Sequence, residues 1–183
     1  MALQKYFIAL IPPEAISERI KSIKQDIANR FGSKGALRSP AHITLHMPFE
    51  YEDSKEAKLI STLDQFRFET PFDIRLHHID AFEPRVVFIH VDASDALMAM
   101  QKQLVQYLKM RLHLYNQAES MRGFHPHVTV AFRDLKKAAF YEIMNAYRSM
   151  EFTETFRCSS LYLLKQNAGQ WIPYHESVFI PKP

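Results

Sequence analysis

Cysteine and glycine are both scarce in this chain of 183 residues, and each scarcity excludes a class of site. The single cysteine, Cys158, excludes an intrachain disulfide and any multi-cysteine zinc or iron–sulfur site, and it favours a reducing, cytoplasmic compartment. Only 4 glycines are present, and neither a GxGxxG nor a GxxxxGK loop occurs, which argues against a glycine-rich phosphate cradle. The apolar runs are only as long as strands, so we expect neither a membrane span nor a signal peptide.

The remaining composition is that of an ordinary globular protein. Hydrophobic residues make up 47% of the chain and charged residues 23%, which excludes a disordered tail, a collagen-like chain or a coiled coil. A chain of this length buries about 70% of its unfolded surface, so a core can form without disulfides or metals. The net charge of +3 permits an anionic substrate but does not require one.

The hydrophobic pattern predicts an α+β fold in which strands and helices alternate. The predicted strands cover residues 5–11, 41–47, 72–82, 85–92, 127–132, 152–157, 159–165 and 172–180. The predicted helices cover about 14–30, 53–66, 94–115 and 134–148, with N-terminal caps at Asp53 or Ser54, at Ser94 and at Asp134. In the first helix, Ile16, Ile20, Ile23 and Ile27 share one face, and Gly32 and Gly35 follow its end.

Two segments of the chain resemble each other and predict an internal duplication. Tyr6–Leu10 aligns with Val87–Val91 at an offset of 81 residues, and His42–Leu45 aligns with His127–Val130 at an offset of 85. We therefore expect one domain over residues 1–183 made of two lobes, at about 1–84 and 85–183. Exchange of strands between the lobes is left open. Lobes this small are expected to pack as one body around a central cleft.

The clearest chemical signal is a His-x-Thr-x motif that occurs once in each proposed repeat. The first is His42-Ile43-Thr44-Leu45 and the second is His127-Val128-Thr129-Val130. In a chain with 9 His and 6 Thr, chance predicts about 0.3 His-x-Thr triplets. Two copies at equivalent places of a repeat therefore indicate a shared function.

Strand geometry gives each motif a polar face. Residues i and i+2 of a strand point the same way, about 6.6 Å apart, so His42 lies beside Thr44 and His127 beside Thr129. If a pseudo-twofold axis relates the lobes, both polar faces converge on one cleft. Two imidazoles can then supply the base and the acid of an in-line displacement at phosphorus, while the hydroxyls donate to the non-bridging oxygens.

At these residues the chain resembles the 2H phosphoesterases, in particular their 2′-5′ RNA ligase and cyclic phosphodiesterase branch. Tyr6–Glu14 resembles the opening strand and helix start of that branch, while Ala41–Leu45 and Phe124–Val130 resemble its two signature motifs. The resemblance covers nearly the whole chain and implies a bilobal α+β fold with mainly antiparallel sheets. It also implies cleavage of 2′,3′-cyclic or 2′-5′ phosphodiesters, with His42 as acid and His127 as base.

The same resemblance implies that Thr44, Thr129 and Arg122 bind the substrate phosphate. Four further residues near the motifs are candidate substrate contacts: His46, which shares the predicted face of His42 and is otherwise a rim histidine, together with His125, Phe49 and Phe124. Arg38, Lys34 and Arg133 flank the motifs, where charged loop residues are usually only solvated. The stretch His46–Tyr51 departs from the Phe-Leu-Gly-like stretch common in the family, which leaves the substrate specificity open.

No cofactor or metal is expected. In a strand, His42 and His46 lie about 13 Å apart, too far to share one ion. His77, His78, His90, His113 and His175 show no ligand spacing in the sequence. The expected partner is an RNA end or a cyclic nucleotide bound by a monomer, and reverse 2′-5′ ligation is left open. The alternatives are a non-catalytic module that binds RNA ends, and a phosphodiesterase for a small cyclic phosphate unrelated to RNA.

Overall fold

The predicted alternation of strands and helices is confirmed by the computed structural model, which describes residues 2–68, 71–116 and 123–179. The strands are β1 (Leu3–Leu10), β2 (Ile43–Glu52), β3 (Phe72–Phe82), β4 (Val86–Val91), β5 (His127–Ala131), β6 (Thr153–Cys158), β7 (Ser160–Asn167) and β8 (Gln170–Val178). The α-helices in this part of the chain are α1 (Glu14–Phe31), α2 (Glu56–Asp64), α3 (Asp95–Leu112) and α4 (Lys137–Tyr147). Short 3-10 turns cover Gly35–Arg38 and Asp53–Lys55.

The strands form two antiparallel sheets of four strands each, which give the expected two-lobe α+β fold. The first sheet has the order β2-β1-β7-β8 and the second has the order β5-β4-β3-β6. Strands β2 and β5, which carry the two motifs, contact each other directly. The motifs therefore meet where the lobes meet.

The lobes exchange strands, so a boundary near residue 84 does not separate the two sheets. The first sheet takes β7 and β8 from the C-terminal half, and the second takes β3 from the N-terminal half. Strands β1 and β4, which align in sequence, nevertheless occupy equivalent second positions in their sheets, with β2 and β5 outside them. The internal duplication itself stays a prediction.

One hydrophobic core runs through both lobes beneath the helices. The predicted inner face of α1 is confirmed, since Ile16, Ile20 and Ile27 are buried and Ile23 packs against the same core. The alternate residues of the motifs, such as Ile43 and Val128, are also buried there. A second, smaller cluster on the opposite face of the first sheet contains Phe7, Ala9, Leu164 and Trp171. None of the helices in the described ranges is both long and apolar enough to cross a membrane.

Two predicted helix ends are confirmed and two predicted starts are wrong. The Ser94 hydroxyl accepts a hydrogen bond from the Leu97 backbone N–H, and Gly32 ends α1 in the left-handed conformation. Asp53 lies in a 3-10 turn, and α2 begins after it at Glu56. Asp134 does not cap α4, which begins at Lys137, because its carboxylate accepts hydrogen bonds from the loop that follows α1.

That carboxylate joins the two lobes beside the cleft. It accepts hydrogen bonds from the Ser33 hydroxyl at 2.9 Å and from the backbone N–H groups of Lys34 and Gly35 at 2.8 and 3.1 Å. A Cβ atom on Gly35 would lie 2.5 Å from the Phe132 carbonyl oxygen, so only glycine permits this close approach. The loop before the first motif is thereby held against the loop after the second.

Candidate active site

The two His-x-Thr-x motifs converge on one cleft between the sheets. His42 immediately precedes β2 and His127 begins β5, and both histidines line a cavity of about 310 Å³ together with Thr44 and Thr129. All four side chains are half-buried, so they are sheltered but reachable from solvent. The predicted convergence of the two polar faces is confirmed as geometry, while the catalytic roles of the four residues stay predictions.

Each imidazole is held by the same hydrogen bond. The Nδ1 atom of His42 lies 2.9 Å from the carbonyl oxygen of Pro40, and the Nδ1 atom of His127 lies 2.7 Å from that of His125. A carbonyl oxygen can only accept, so Nδ1 carries a proton in both rings. Nε2 is therefore the nitrogen that carries the lone pair of the neutral ring, and this holds equally for the two histidines.

Aromatic side chains form the wall behind both imidazoles. The Phe7 ring lies 4.8 Å from the ring of His42, and the Phe88 ring lies 5.0 Å from that of His127. Phe7 and Phe88 are equivalent in the alignment of the two repeats. Phe82 adds an edge-to-face contact with His127 at 5.2 Å. Both rings are therefore partly desolvated on the sheet side.

Burial weakens the basicity of both imidazoles. It lowers the pKa of His42 to about 4, assisted by repulsion from the nearby Lys24 and His127. It also lowers the pKa of His127, assisted by repulsion from His125. Both rings are therefore mostly neutral near pH 7, and an anion beside either one favours its protonated form.

A buried lysine that sequence reasoning missed lies behind His42. Lys24 is only 2% exposed, and its ammonium donates hydrogen bonds of 3.1 Å to the carbonyl oxygens of Ser39 and Pro40. Pro40 is also the acceptor for His42, so the ammonium and the imidazole share one oxygen. Burial lowers the pKa of Lys24 to about 8. The sequence did contain a signal for its burial, because Lys24 follows Ile20 by four residues and so lies on the apolar face of α1.

Two arginines and a tryptophan complete the rim of this cavity. Arg38 and Arg133 line it from the loops beside the two motifs, and both are exposed. Trp171 lines it from β8 and packs edge-to-face on Phe7 at 4.8 Å. No sequence pattern selects Trp171, because β8 joins this lobe only through the exchange of strands. The side chain of Lys34 does not line the cavity.

The predictions for His46 and Phe49 are wrong, because both side chains face the core. Ala9 pairs with Thr44 and Ile8 with His46, so one extra residue, Leu45, interrupts the alternation of β2. His46 is therefore 1% exposed, with Nδ1 bonded to the Met47 carbonyl oxygen at 2.9 Å and its ring against Phe49 at 5.2 Å. Neither residue lines the cleft.

His125 and Phe124 lie at a second cavity that adjoins the first. This cavity has a volume of about 500 Å³ and shares Thr44, Met47 and His127 with the first. The two residues therefore stay candidate substrate contacts, beyond the motifs rather than between them. Arg122, the predicted phosphate ligand before the second motif, lies outside the described residues.

Side chains of the types that ligate metals come together elsewhere on the second sheet. In the described ranges, groups of three or more His, Cys, Asp or Glu with ligand atoms within 4.8 Å of one another occur only on β3, β4 and the residue that follows β4. They involve His77, His78 and His90, in which the sequence analysis found no ligand spacing. The predicted β3–β4 hairpin was the available signal, since its pairing brings His77 opposite His90.

Comparison with known proteins identifies the family of this fold and cleft. A family model described as the 2′-5′ RNA ligase superfamily matches residues 12–170. The chain belongs to the 2′-5′ RNA ligase superfamily. It is thus a member of an enzyme family of 2H phosphoesterases, as the two motifs indicate.

Relatives within this superfamily cover almost the whole chain. A Geobacillus sp. (strain WCH70) protein whose name classes it among phosphoesterases is 31% identical over 179 residues, 93% of each chain. A protein of Archaeoglobus fulgidus named RNA 2′,3′-cyclic phosphodiesterase is 27% identical over 154 residues, 82% of this chain and 84% of its own.

Solved structures show the same two-lobe fold. The crystal structure of TT0787 of Thermus thermophilus has a TM-score of 0.70 and 18% identity, covering 98% of this chain and 100% of its own. E. coli LigT complexed with 3′-AMP has a TM-score of 0.67 and 19% identity, covering 97% and 99% of the two chains.

Proposed function

We propose that this protein is a phosphodiesterase that opens 2′,3′-cyclic phosphates, or cleaves 2′-5′ linkages, at the ends of RNA or in nucleotides. The observation that carries the proposal is the pair of imidazoles that line one cavity, each with Nδ1 held by the carbonyl two residues earlier. The Archaeoglobus relative bears the name of this activity. A reverse reaction that joins RNA ends runs through the same groups.

The reaction needs a base and an acid on opposite sides of one phosphorus. Nε2 of the neutral imidazole takes the proton of the attacking water, while the protonated imidazole gives its proton to the leaving ribose oxygen. The P–O bond to water forms as the P–O bond to the ribose breaks. The hydroxyls of Thr44 and Thr129 donate to the non-bridging oxygens, where negative charge grows. His42 and His127 together supply both proton transfers, so the proposed mechanism uses no metal.

Resemblance and electrostatics favour opposite assignments of the two roles. The resemblance makes His42 the acid and His127 the base. The ammonium of Lys24 disfavours a proton on His42, which favours His42 as the base. A phosphodiester whose leaving group is p-nitrophenolate needs no acid, so the acid variant keeps activity on it and the base variant does not.

The second cavity supports an RNA end as the substrate. It opens from the first at Thr44, Met47 and His127, and it offers His125 and Phe124 to groups beyond the reacting phosphate. Arg38 and Arg133 lie on the rim, where their charge attracts a polyanion. A small cyclic phosphate would fill only the first cavity. Competition between RNA ends and mononucleotides for one fluorescent substrate separates these two classes.

The deciding experiment is turnover of a nucleoside 2′,3′-cyclic phosphate in the presence of EDTA. We expect wild-type protein to hydrolyse it, and His42→Ala and His127→Ala each to lose about 10²–10⁴-fold in kcat. His113→Asn is the matched control, because His113 is exposed in the left-handed conformation that asparagine tolerates. Full activity in either alanine variant contradicts the acid–base pair. Binding of RNA ends without turnover supports the non-catalytic alternative instead.

A further inference from the structure

Three imidazoles and two carboxylates form a cluster on the second half of β3 and at the end of β4, apart from the two motifs. We name it the histidine cluster, and it consists of His77, His78, Asp80, His90 and Asp92. All five side chains are half-buried or exposed, so solvent and ions reach them. The proposed reaction uses none of them.

The donor atoms of the cluster already lie near the spacing that one metal ion requires. Nε2 of His77 lies 2.5 Å from Oδ1 of Asp92, and Nε2 of His90 lies 3.9 Å from the same oxygen. The donor atoms of these three residues all lie within 4.8 Å of one another. Ligand bonds of about 2.0–2.1 Å place neighbouring donors about 3.3 Å apart in a tetrahedral site, so small side-chain rotations suffice.

A β-bulge concentrates the imidazoles on one side of the strand. His77 pairs with His90 and Ile79 with Ile89, so His78 is the extra residue of β3. Its φ of 37° lies in the left-handed region, which few residues other than glycine adopt. Without this bulge, His77 and His78 would point to opposite faces. Instead their Nδ1 atoms lie 2.7 Å apart, and the ring of His78 stacks on that of His90.

We propose that the histidine cluster binds a divalent transition-metal ion of the zinc class through His77 Nε2, His90 Nε2 and Asp92 Oδ1. Two imidazoles and one carboxylate are ligands that suit Zn²⁺, and three protein ligands leave one position open. In the metal-bound form Nδ1 of His77 donates its proton to Nδ1 of His78, which leaves the Nε2 lone pair of His77 for the metal.

The proposed site lies on the same sheet face as the second motif. His90 is the direct partner of His127 across β4 and β5, and partners in an antiparallel pair point to the same face. The open coordination position is therefore on the cleft side of the second sheet, where it takes water or an oxygen of a phosphate or carboxylate. A second group of three candidate ligands consists of His78, Asp80 and His90. It has His90 in common with the first group, so the two groups are alternative ligand sets for one ion.

The test is a titration of the metal-free protein with Zn²⁺, followed by calorimetry, and with Co²⁺, followed by its visible absorption. We expect one ion per chain and a tetrahedral Co²⁺ spectrum. His90→Ala removes a ligand common to both sets and should weaken binding at least about 100-fold. Asp92→Asn, which keeps the side-chain shape, should also weaken it, so the test does not depend on one variant folding. His77→Ala and His78→Ala decide which set holds the ion.

Two controls separate this site from other histidines. His113→Asn removes an exposed imidazole elsewhere and should leave the affinity unchanged. His127→Ala removes an imidazole of the cleft and should also leave it within about threefold. The proposal is overturned if the wild type binds no ion at micromolar Zn²⁺, if His90→Ala binds as tightly as the wild type, or if His127→Ala abolishes binding. The readout is binding alone, so it does not depend on the proposed phosphodiesterase activity.

Discussion

The first motif at His42 and the second at His127 hold their imidazoles alike but differ in the charge behind them. Both rings donate from Nδ1 to the carbonyl two residues earlier, and both pack on the equivalent phenylalanine of the neighbouring strand. Behind His42 that carbonyl also accepts from the ammonium of Lys24. Among the residues that the structure describes, Lys24 is the one buried lysine or arginine.

This difference shows that similar strands do not place their imidazoles in equivalent electrostatic surroundings. The shared hydrogen bond sets the tautomer, which is a local property of each motif. The proton affinity depends on the helix packed behind the strand, and here only one motif faces a buried cation. Lys24 repels a proton on His42, whereas the repulsion at His127 comes from His125. The two imidazoles thus differ in the charges that act on them.

Among the variants that keep both imidazoles, the largest expected effect concerns the hydroxyls, where the motifs should behave alike. Thr44→Val and Thr129→Val remove one donor each at nearly constant volume, and each should lower kcat by about 10²–10³-fold. Thr153→Val, at an exposed position of β6 outside the cleft, is the control and should leave kcat unchanged. Steady-state kinetics on a nucleoside 2′,3′-cyclic phosphate measure the effect. A loss in only one of the two variants would show that the phosphate contacts a single motif.

A second prediction concerns the contact that holds the two motifs together. Gly35→Ala places a Cβ atom 2.5 Å from the Phe132 carbonyl oxygen and 3.0 Å from Oδ1 of Asp134. The backbone must move, so we expect a loss of about 1–3 kcal/mol in the free energy of unfolding, measured by denaturant titration. Lys34→Ala is the control, because its backbone N–H still reaches Asp134 while its side chain is exposed. Unchanged stability of Gly35→Ala would mean that the loops do not pack this closely.

The strand-level pattern predicted most of the fold, because alternation of apolar residues reports burial directly. It predicted the eight strands of the described residues, the inner face of α1 and the convergence of the motifs. It failed at the bulge of β2, where one extra residue turned His46 into the core, and at the bulge of β3, where another gathered His77 and His78. Neither bulge can be recognised from the residue types of its strand. The exchange of β3, β7 and β8 depends on pairing between strands that are far apart in the sequence, which a local pattern does not predict. Trp171 was missed for that reason, whereas Lys24 was missed although its position on the apolar face of α1 indicates burial.

We also expect the free energy of unfolding to depend on pH, with a smaller effect than in the two predictions above. His42 should contribute more to this dependence than His127. The pKa of His42 falls from 6.5 to about 4 on folding, so between these values the unfolded chain binds a proton that the folded protein does not. The free energy of unfolding therefore decreases as the pH falls through this range, by up to about 2 kcal/mol from pH 7 to pH 5. Denaturant titrations at both pH values should show a smaller decrease for His42→Gln than for wild type. His113→Asn should behave as wild type, and an unchanged decrease in His42→Gln would place the sensitivity elsewhere.

The smallest expected effect tests the difference between the motifs most directly. Lys24→Met removes the ammonium but keeps an unbranched apolar side chain, so repulsion at His42 disappears while burial remains. We expect the pKa of His42 to rise, yet to stay below 6.5, and the pKa of His127 to stay constant in NMR titrations of the ring protons. Lys21→Met is the matched control, because Lys21 is exposed on the same helix and pairs with Glu18. A shift of equal size at both histidines would show that Lys24 acts on the cleft as a whole, and an unchanged His42 would show that burial alone separates the two motifs.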